Sequence, residues 1–356
     1  MNYIAFDSHK RYTLASVESS TGQLLQEKRI EHAPGNLRKF LSQYEKGSPV
    51  AVETIGNWYW IVDEIEQADM VPKLVNARKA KSMIGSINKT DSLDARGLNK
   101  LQRVGVLPNV WIPPADLRDK RDLPRTRMLL TNERTRLKNR IQANLTKYRL
   151  NLTGISDTFG VKSADKLNES ISALPAYTRY CTERLLERLY FTEKQIGVFE
   201  KYIKEAFKNS IELKHIMTLP GVGYILGVVI LLEIGDVGRF AGAPQLASYA
   251  GCTPRVHASG DKIRLGQLRS DVNHYLKWAF TEAANVISTH KKHWAYRHSV
   301  RLYNRIAAKK NHQKAVGAVA RHLAEATYWM LRKDEDYKEP KVIGEVIEGE
   351  ISAMPA

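Results

Sequence analysis

The pattern of apolar residues changes near residue 115, and this change limits the folds that the chain can adopt. Residues 1–114 alternate short apolar stretches with amphipathic ones, which is typical of a sheet combined with helices. From residue 115 to about residue 210, apolar residues recur at intervals of three and four, which predicts long helices. The sequence therefore predicts an α/β domain followed by an all-α part.

In the first part, three consecutive strands joined by tight turns are predicted in "YIAFD", "RYTLASVES" and "QLLQEKRIEH". A helix follows Pro34, and then come the strand "PVAVE", the helix "NWYWIVDEIEQA" and the strand "VPKLVNA". A further helix, "TDSLDARGLNKLQRVG", is predicted with Thr90 as its cap. Three strands in a meander, followed by strand–helix alternation, fit a ribonuclease-H-like domain.

The middle part contains two long amphipathic stretches, "RTRMLLTNERTRLKNRIQANLTKYRL" and "TRYCTERLLERLYFTEKQIGVFEKYIKEAFK", on either side of a turn region. They predict an antiparallel pair or a coiled-coil arm on which partner chains dock. A helical hairpin that packs on its own domain fits the pattern equally well.

The last part begins with "MTLPGVGYILGVVILLEIG", in which the stretch "LPGVG" separates two helical stretches. This stretch matches the sequence motif of a helix-hairpin-helix, in which glycine amides such as those of Gly221 and Gly223 contact backbone phosphates. A purely structural tight turn is the alternative. The stretch from Gly251 to Phe280 is interpreted as a polar loop that leads into a helix. The predicted domains are residues 1–114, 115–210 and 211–335, and an acidic tail at 336–356 is expected to be disordered.

Positive charge is in excess and is unevenly distributed. The chain has 55 Lys and Arg against 38 Asp and Glu, a net charge of +17, which points to a polyanion and to nucleic acid before membrane. Residues 115–150 carry eleven basic residues against four acidic ones, and residues 290–333 carry eleven against one. Each block is expected either to contact nucleic acid or to be a solvated helix face. With two cysteines, no long apolar run and no signal-peptide layout, we expect a cytoplasmic protein with no membrane partner.

Four carboxylates occur at the ends of predicted strands or together on one predicted helix. Asp7 and Glu53 end two of the predicted strands, and Asp91 and Asp94 lie three residues apart on one helix face, where like charges repel. Hard oxygen ligands that converge from different elements are what Mg²⁺ or Mn²⁺ requires, and paired ions of this kind support in-line displacement at a phosphodiester. In this interpretation Lys89 and Arg96 meet the phosphate of a nucleic acid. Alternatively, Asp7 and Glu53 are ordinary strand-end acids, and Lys89 and Arg96 neutralise the aspartate pair.

The sequence resembles, over nearly its whole length, the insertion-sequence "one-ten" family of transposases, with its "eleven-eleven" branch and the Piv-type DNA invertases. The N-terminal signature of that family is an Asp-Glu-Asp-Asp set on a RuvC-like fold. Its counterparts here are Asp7 in "FDSHK", Glu53 in "VETIGNW", and Asp91 and Asp94 in "KTDSLDA". The C-terminal signature, "LPGVG" followed by "YAGCTPR" and a Ser-Gly, corresponds to "SYAGCTPRVHASGDKIRLG", with Ser259 at the position of the nucleophile.

Two departures from the family pattern occur near Ser259. The family commonly has two serines before the glycine, whereas Ala258 occupies the first position here and leaves Ser259 as the candidate. Farther along, Ser270 and Val272 replace a lysine and a glycine, whereas Asn273 is retained. The second departure removes any role for a lysine at position 270.

The resemblance implies a DNA transposase or recombinase that is guided by a bridge RNA and exchanges donor and target DNA strands. Ser259 is the implied nucleophile, the four carboxylates hold the metal, and Lys262, Arg264 and Arg269 supply positive charge. The implied site is composite, with Ser259 from one domain and the carboxylates from another domain or subunit. The protein is expected to be a homodimer or homotetramer at the prokaryotic nucleoid. Two alternatives remain: a RuvC-like metal-dependent nuclease that uses water, and a non-catalytic nucleic-acid-binding scaffold.

Overall fold

The computed structural model describes most of the chain, which divides into two compact units, Met1–Ala115 and Asp116–Ala356. The described residues are 1–85, 91–259, 262–269 and 271–340, and for residues 91, 257–259, 262, 263 and 265 the description covers the backbone alone. The predicted cap Thr90, together with Lys89, Gly260, Ser270 and most of the predicted acidic tail, lies outside the described residues. The further division of the chain at residue 210 stays a prediction.

The first unit is built on a five-stranded sheet, and all five predicted strands are confirmed. They are β1 (Tyr3–Ser8), β2 (Tyr12–Glu18), β3 (Leu24–Glu31), β4 (Pro49–Glu53) and β5 (Val71–Val75). Their order is β3-β2-β1-β4-β5, in which β1, β2 and β3 are antiparallel neighbours and β4 and β5 run parallel to β1. The meander followed by parallel crossovers puts the carboxyl ends of β1 and β4 side by side.

Helices cover both faces of this sheet. They are α1 (Asn36–Leu41), α2 (Trp58–Gln67), α3 (Ala77–Ile84) and α4 (Asp91–Arg103). Alternate residues of a strand point to opposite faces, so Ile4 and Phe6 join one core with α1 and α2. Ala5 and Ala51 join the other core, to which α3 and α4 contribute. The helix α3 was missed, because Ala80 is its only buried residue and its apolar pattern is correspondingly weak.

The second unit begins with a helical hairpin, so of the predicted arrangements the antiparallel pair is the one observed. Its helices are α5 (Ala115–Lys147), the short α6 (Ala164–Ser172) and α7 (Ala176–Phe207). Asn144, near the end of α5, bonds Thr182 near the start of α7, and Arg127 pairs with Glu200 at the opposite ends. These contacts establish that α5 and α7 run in opposite directions.

The rest of the second unit is a helical cluster with one β-hairpin. Its helices are α8 (Ile211–Met217), α9 (Tyr224–Ile234), α10 (Ala243–Tyr249), α11 (His274–Thr289), α12 (His298–Lys309) and α13 (His312–Lys333). They enclose a core in which Ile230, Leu246, Phe280 and Leu323 are fully buried. No helix in the described part of the chain is long and apolar enough to cross a membrane.

The expectation of a polar loop after Gly251 is wrong over most of its length. Residues Pro254–Ser259 form β6 and Lys262–Leu268 form β7, two antiparallel strands that pair with each other alone. The sequence alternates polar and apolar residues in "RVHAS" and "KIRLG", which is a strand pattern. The prediction failed because a two-stranded ribbon has no strongly apolar face. Its strands can therefore carry many charged residues, which are also typical of a loop.

Candidate active site

Asp7 and Glu53 lie at the carboxyl ends of adjacent parallel strands. Phe6 of β1 is aligned with Val52 of β4, so the next residues, Asp7 and Glu53, come at the same level. Because side chains alternate along a strand, both carboxylates are on the sheet face that carries Ala5 and Ala51. The register of the sheet therefore puts these two predicted strand-end acids on one face, at the ends of neighbouring strands.

The helix α4 covers that same face. Ala95 and Leu98 of α4 pack in one core with Ala5 and Ala51. Farther along the helix, the buried amide of Gln102 donates hydrogen bonds to the carbonyl oxygen of Ile4, at 3.2 Å, and to that of Pro49, at 3.3 Å. Since Ile4 and Pro49 are early residues of β1 and β4, the start of α4 points toward the carboxyl ends of these strands.

The geometry brings Asp94 to the level of Asp7. Asp94 precedes Gln102 by eight residues, about 12 Å along a helix axis. Asp7 follows Ile4 by three residues, about 10 Å along a strand. Asp91 begins α4, one turn before Asp94, and its side chain is outside the described atoms. The fold therefore places the backbones of the four predicted acids toward one end of the sheet.

The described carboxylates do not by themselves form a closed metal site. Among the side chains that the structure describes, no three His, Cys, Asp or Glu side chains are close enough together to hold an ion. That set excludes Asp91, which the family signature counts as one of four ligands. Asp7 contacts a neighbouring ring, with its Oδ2 at 3.4 Å from Nε2 of His9. The type of ligand suits a hard divalent cation, because all of these acids offer carboxylate oxygens.

Arg96 pairs with an acid other than Asp94. Its guanidinium forms a bidentate ion pair with Glu27 of β3, at 2.7 Å from Nε to Oε1 and 2.9 Å from Nη2 to Oε2. Ser92 also donates a hydrogen bond to Glu27, at 2.7 Å, and the bond from Arg96 lowers the pKa of the Glu27 carboxyl. Within the described residues no ion pair reaches Asp94, so Arg96 is not its counter-ion. The contact of Arg96 with nucleic acid stays a prediction.

Ser259 lies at the tip of the hairpin in the second unit. It is the last residue of β6, and its backbone is in register with that of Lys262, the first residue of β7. Arg264 is exposed on β7, whereas Arg269 pairs with Asp271 at 2.8 Å. The hairpin therefore puts the backbone of Ser259 opposite that of Lys262, and the basic surroundings of Ser259 stay a prediction.

The turn between α8 and α9 contains the two predicted phosphate-binding glycines. Gly221 has φ of +78°, and a Cβ atom there would lie 2.3 Å from the carbonyl oxygen of Ala283 in α11. A glycine is therefore required at position 221, because the turn packs closely on α11. Gly223 precedes α9, and a Cβ there would meet no atom within 4 Å. The open side of this turn is therefore at Gly223, where the first amides of α9 have no partner within the helix.

This turn forms one wall of a groove with a volume of about 680 Å³. Lys204, Trp294 and Arg297 lie on the groove together with Gly221 and Gly223. Two cations, an aromatic ring and the first amides of α9 suit an anionic polymer, and the one acid among the described residues on the groove, Glu200, is paired with Arg127. The predicted helix-hairpin-helix contact with phosphates stays a prediction.

The two basic blocks differ in their surroundings. In the block at residues 115–150, Arg118 and Arg121 are buried, and Arg125, Arg127 and Lys138 pair with acids of other helices. Much of that charge therefore stabilises the fold, an outcome that sequence reasoning missed. The block at residues 290–333 keeps eight exposed basic residues that form no ion pair with the described residues. These are Lys291, Lys292, Arg301, Arg305, Lys309, Lys310, Lys314 and Arg332.

Sequence reasoning also missed a buried polar cluster around Glu233 of α9. Its carboxylate accepts two hydrogen bonds from Arg125, at 2.7 and 3.0 Å, and one from Asn273, at 2.8 Å. Asn273 in turn caps α11 by accepting from the amides of Tyr275 and Leu276. The single available signal was an acid in the otherwise apolar stretch "YILGVVILLEI".

Comparison with known proteins gives two family matches. A transposase model of the DEDD IS110 type matches residues 4–150, and a model of the IS116/IS110/IS902 transposase family matches residues 213–299. The transposase of insertion sequence element IS1111A of Coxiella burnetii is 24% identical over 267 residues, which cover 75% of this chain and 72% of the relative. A Pseudomonas aeruginosa protein named "Probable family 20 transposase" is 23% identical over 67% of this chain and 70% of the relative.

Proposed function

Because this chain belongs to the IS110 family of transposases, we propose that it transfers DNA strands through Ser259 and a metal site of Asp7, Glu53, Asp91 and Asp94. Family membership confirms the resemblance seen in the sequence. It also makes the chain an enzyme that cleaves and joins DNA, so the non-catalytic scaffold is set aside.

The observation that carries the metal site is the position of α4. The helix packs on the sheet face shared by Asp7 and Glu53, with its start at the carboxyl ends of their strands. A helix in any other position or direction would separate Asp94 from the strand acids. The strand order β3-β2-β1-β4-β5, with three antiparallel and two parallel strands, further supports a RuvC-like fold for this unit.

In the proposed reaction, the Oγ atom of Ser259 attacks a phosphorus atom of DNA. The serine proton passes to a base, a bridging P–O bond breaks, and the deoxyribose oxygen that leaves takes up a proton. The product is a phosphodiester between Ser259 and DNA, which conserves the bond energy for rejoining to a new strand. A divalent ion, Mg²⁺ or Mn²⁺, would stabilise charge at the phosphate when it is bound by the four carboxylates. Lys262 and Arg264 favour the anionic transition state through their charge.

We further propose donor and target DNA and a guide RNA as partners of a homo-oligomer. A guide RNA paired with DNA is A-form and is recognised by shape and backbone, which requires positive surfaces and few base-reading side chains. The exposed basic residues of α12 and of the segment before it meet this requirement better than the block at residues 115–150, where many cations are already paired.

A denaturing gel after incubation with DNA, guide RNA and Mg²⁺ tests the proposal. We expect a covalent protein–DNA band for the parent protein and for Ser270→Ala, a nearby serine at a position where the family pattern has a lysine, and no band for Ser259→Ala. DNA that is cleaved but free of protein would instead support a nuclease that uses water. A covalent band that persists in Ser259→Ala would exclude Ser259 as the nucleophile.

A further inference from the structure

The chain turns back on itself after α13. Asp334 ends the helix in the left-handed conformation, with φ of +53°. The segment that follows, residues 334–340, is called here the acidic strap, because it contains Asp334, Glu335, Asp336 and Glu339. Its central residue, Tyr337, packs against the core of the second unit, and burial raises the pKa of its hydroxyl.

One hydrogen bond joins the backbone of the strap to the residue that caps the end of α8. The amide of Tyr337 donates to Oγ1 of Thr218, at 2.8 Å, in the residue that directly precedes the turn Leu219–Gly223. The Tyr337 hydroxyl lies 3.2 Å from Nε2 of His322 in α13. The strap therefore runs alongside the turn that contains Gly221 and Gly223.

The acids of the strap bind donors on both sides of it. Asp336 Oδ1 lies 2.7 Å from Nδ1 of His215 in α8. Glu339 accepts a hydrogen bond from Nη1 of Arg297, at 3.2 Å, and another from the amide of His298 at the start of α12, at 2.9 Å. Each of these contacts pairs an anionic oxygen with a group that would also bind a phosphate oxygen.

Arg297 connects the strap with the groove at the α8–α9 turn. It lines that groove together with Gly223, Lys204 and Trp294. Its Nε atom is buried and has no hydrogen-bond partner in the described part of the chain. Glu339 engages only Nη1 of the same guanidinium, so the strap leaves part of the hydrogen-bonding capacity of Arg297 unused.

We infer that Arg297 and the His298 amide form a phosphodiester-binding surface that the acidic strap covers in the free protein and leaves when nucleic acid binds. The inference rests on the proposed function for its ligand and adds a regulated surface to it. Exposed ion pairs of this kind are individually weak, so a polyanion that offers several phosphates can displace them. Charge favours this ligand, because the strap is acidic and its Asp336 and Glu339 carboxylates pair with His215, Arg297 and the amide of His298.

The test compares Glu339→Gln with Glu335→Gln. Both remove one negative charge from the strap, but Glu335 pairs with Lys333 and Lys338 and not with Arg297. We expect Glu339→Gln to bind a short fluorescent DNA duplex about two- to fivefold more tightly than Glu335→Gln does, the range for one exposed ion pair. Its salt dependence should also steepen by about 0.9, which corresponds to one added phosphate contact.

Hydrogen exchange gives a second readout in the parent protein. Binding of the duplex should speed exchange at the Tyr337 amide, because its bond to Thr218 is released. Equal affinities of the two variants would overturn the inference that the strap covers the surface. Unchanged or slower exchange at the Tyr337 amide in the bound protein would do the same. Either result would leave the proposed function intact. If neither the parent nor either variant binds the duplex, the proposed function fails, and the covered surface fails with it.

Discussion

Arg125 and Glu233 form a bidentate ion pair that joins α5 to α9, with 2.7 Å between Nε and Oε1 and 3.0 Å between Nη2 and Oε2. The Glu233 side chain is 1% exposed, and Asn273 donates a hydrogen bond to the same carboxylate. One side chain thus connects the long basic helix, the helix after the glycine turn and the start of α11. This connection holds the C-terminal helices against the hairpin of α5 and α7.

The first prediction concerns the stability of this cluster. Glu233→Gln should destabilise the protein by about 3–5 kcal/mol, because Arg125 and the buried Arg121 lose their carboxylate. Glu133→Gln is the matched control, since Glu133 pairs with an exposed partner, Arg188, and its loss should cost about 0–1 kcal/mol. Urea unfolding of both variants measures the difference. Equal midpoints would show that the buried pair contributes no more than a surface pair.

The second prediction separates the two glycines of the α8–α9 turn. Gly221→Ala should lower the melting temperature, because its Cβ atom would collide with the Ala283 carbonyl and φ is +78°. Gly223→Ala should fold normally, because a Cβ atom there meets open space, but it should weaken nucleic-acid binding by obstructing the amides of α9. Thermal melts and binding titrations of both variants test this. If Gly223→Ala binds as tightly as the parent, the turn is purely structural.

The sequence predicts the features that depend on neighbouring residues, and it does not predict contacts between residues that are far apart in the chain. The five strands and the position of Asp91 and Asp94 on one helix follow from local alternation and periodicity, and they were predicted. The partner of Arg96 was not, because Glu27 lies 69 residues away and nothing local distinguishes it from other surface acids. The pairing of Arg125 with Glu233 spans 108 residues and was missed for the same reason.

Charge density shows the same limit. In the sequence, residues 115–150 and 290–333 are both basic blocks of similar size. Their difference arises in the folded protein, where Arg127 and Lys138 meet acids of α7, whereas Arg301 and Arg305 remain exposed. A count of charges therefore predicts that the protein binds a polyanion, but it does not predict which block does so.

The third prediction follows from this difference. Replacing Arg301, Arg305 and Lys309 together with alanine should reduce the slope of log affinity against log salt by roughly 2.7, at about 0.9 per phosphate contact on duplex DNA. Replacing Arg127 and Lys138, whose charges are already paired, should leave the slope nearly unchanged. Binding titrations over a series of salt concentrations give both slopes. A parent slope near zero would mean that neither block contacts nucleic acid.

The fourth prediction tests the metal site, and Asp69→Asn serves as its control. Asp69 is an exposed acid of the same unit that pairs with Lys46 at 2.7 Å. Asp69→Asn should change stability by about 0–1 kcal/mol and leave strand transfer intact. Asp69→Asn removes the same unit of charge as Asp94→Asn. The comparison therefore distinguishes the loss of a metal ligand from a change in the net charge of the protein.

Asp94→Asn should reduce strand transfer by at least about two to three orders of magnitude, the loss expected when one preorganised electrostatic group is removed. The protein should melt at or above the parent temperature without metal, because the change relaxes repulsion between Asp94 and Asp91. Added Mg²⁺ should raise the melting temperature of the parent and of Asp69→Asn, since an ion that binds the folded state stabilises it, and it should raise that of Asp94→Asn much less. The melts need no DNA, so they report on the carboxylates independently of Ser259. Parent-like strand transfer by Asp94→Asn, together with an unchanged response to Mg²⁺, would mean that the helix places these acids at the strand ends without forming a metal site.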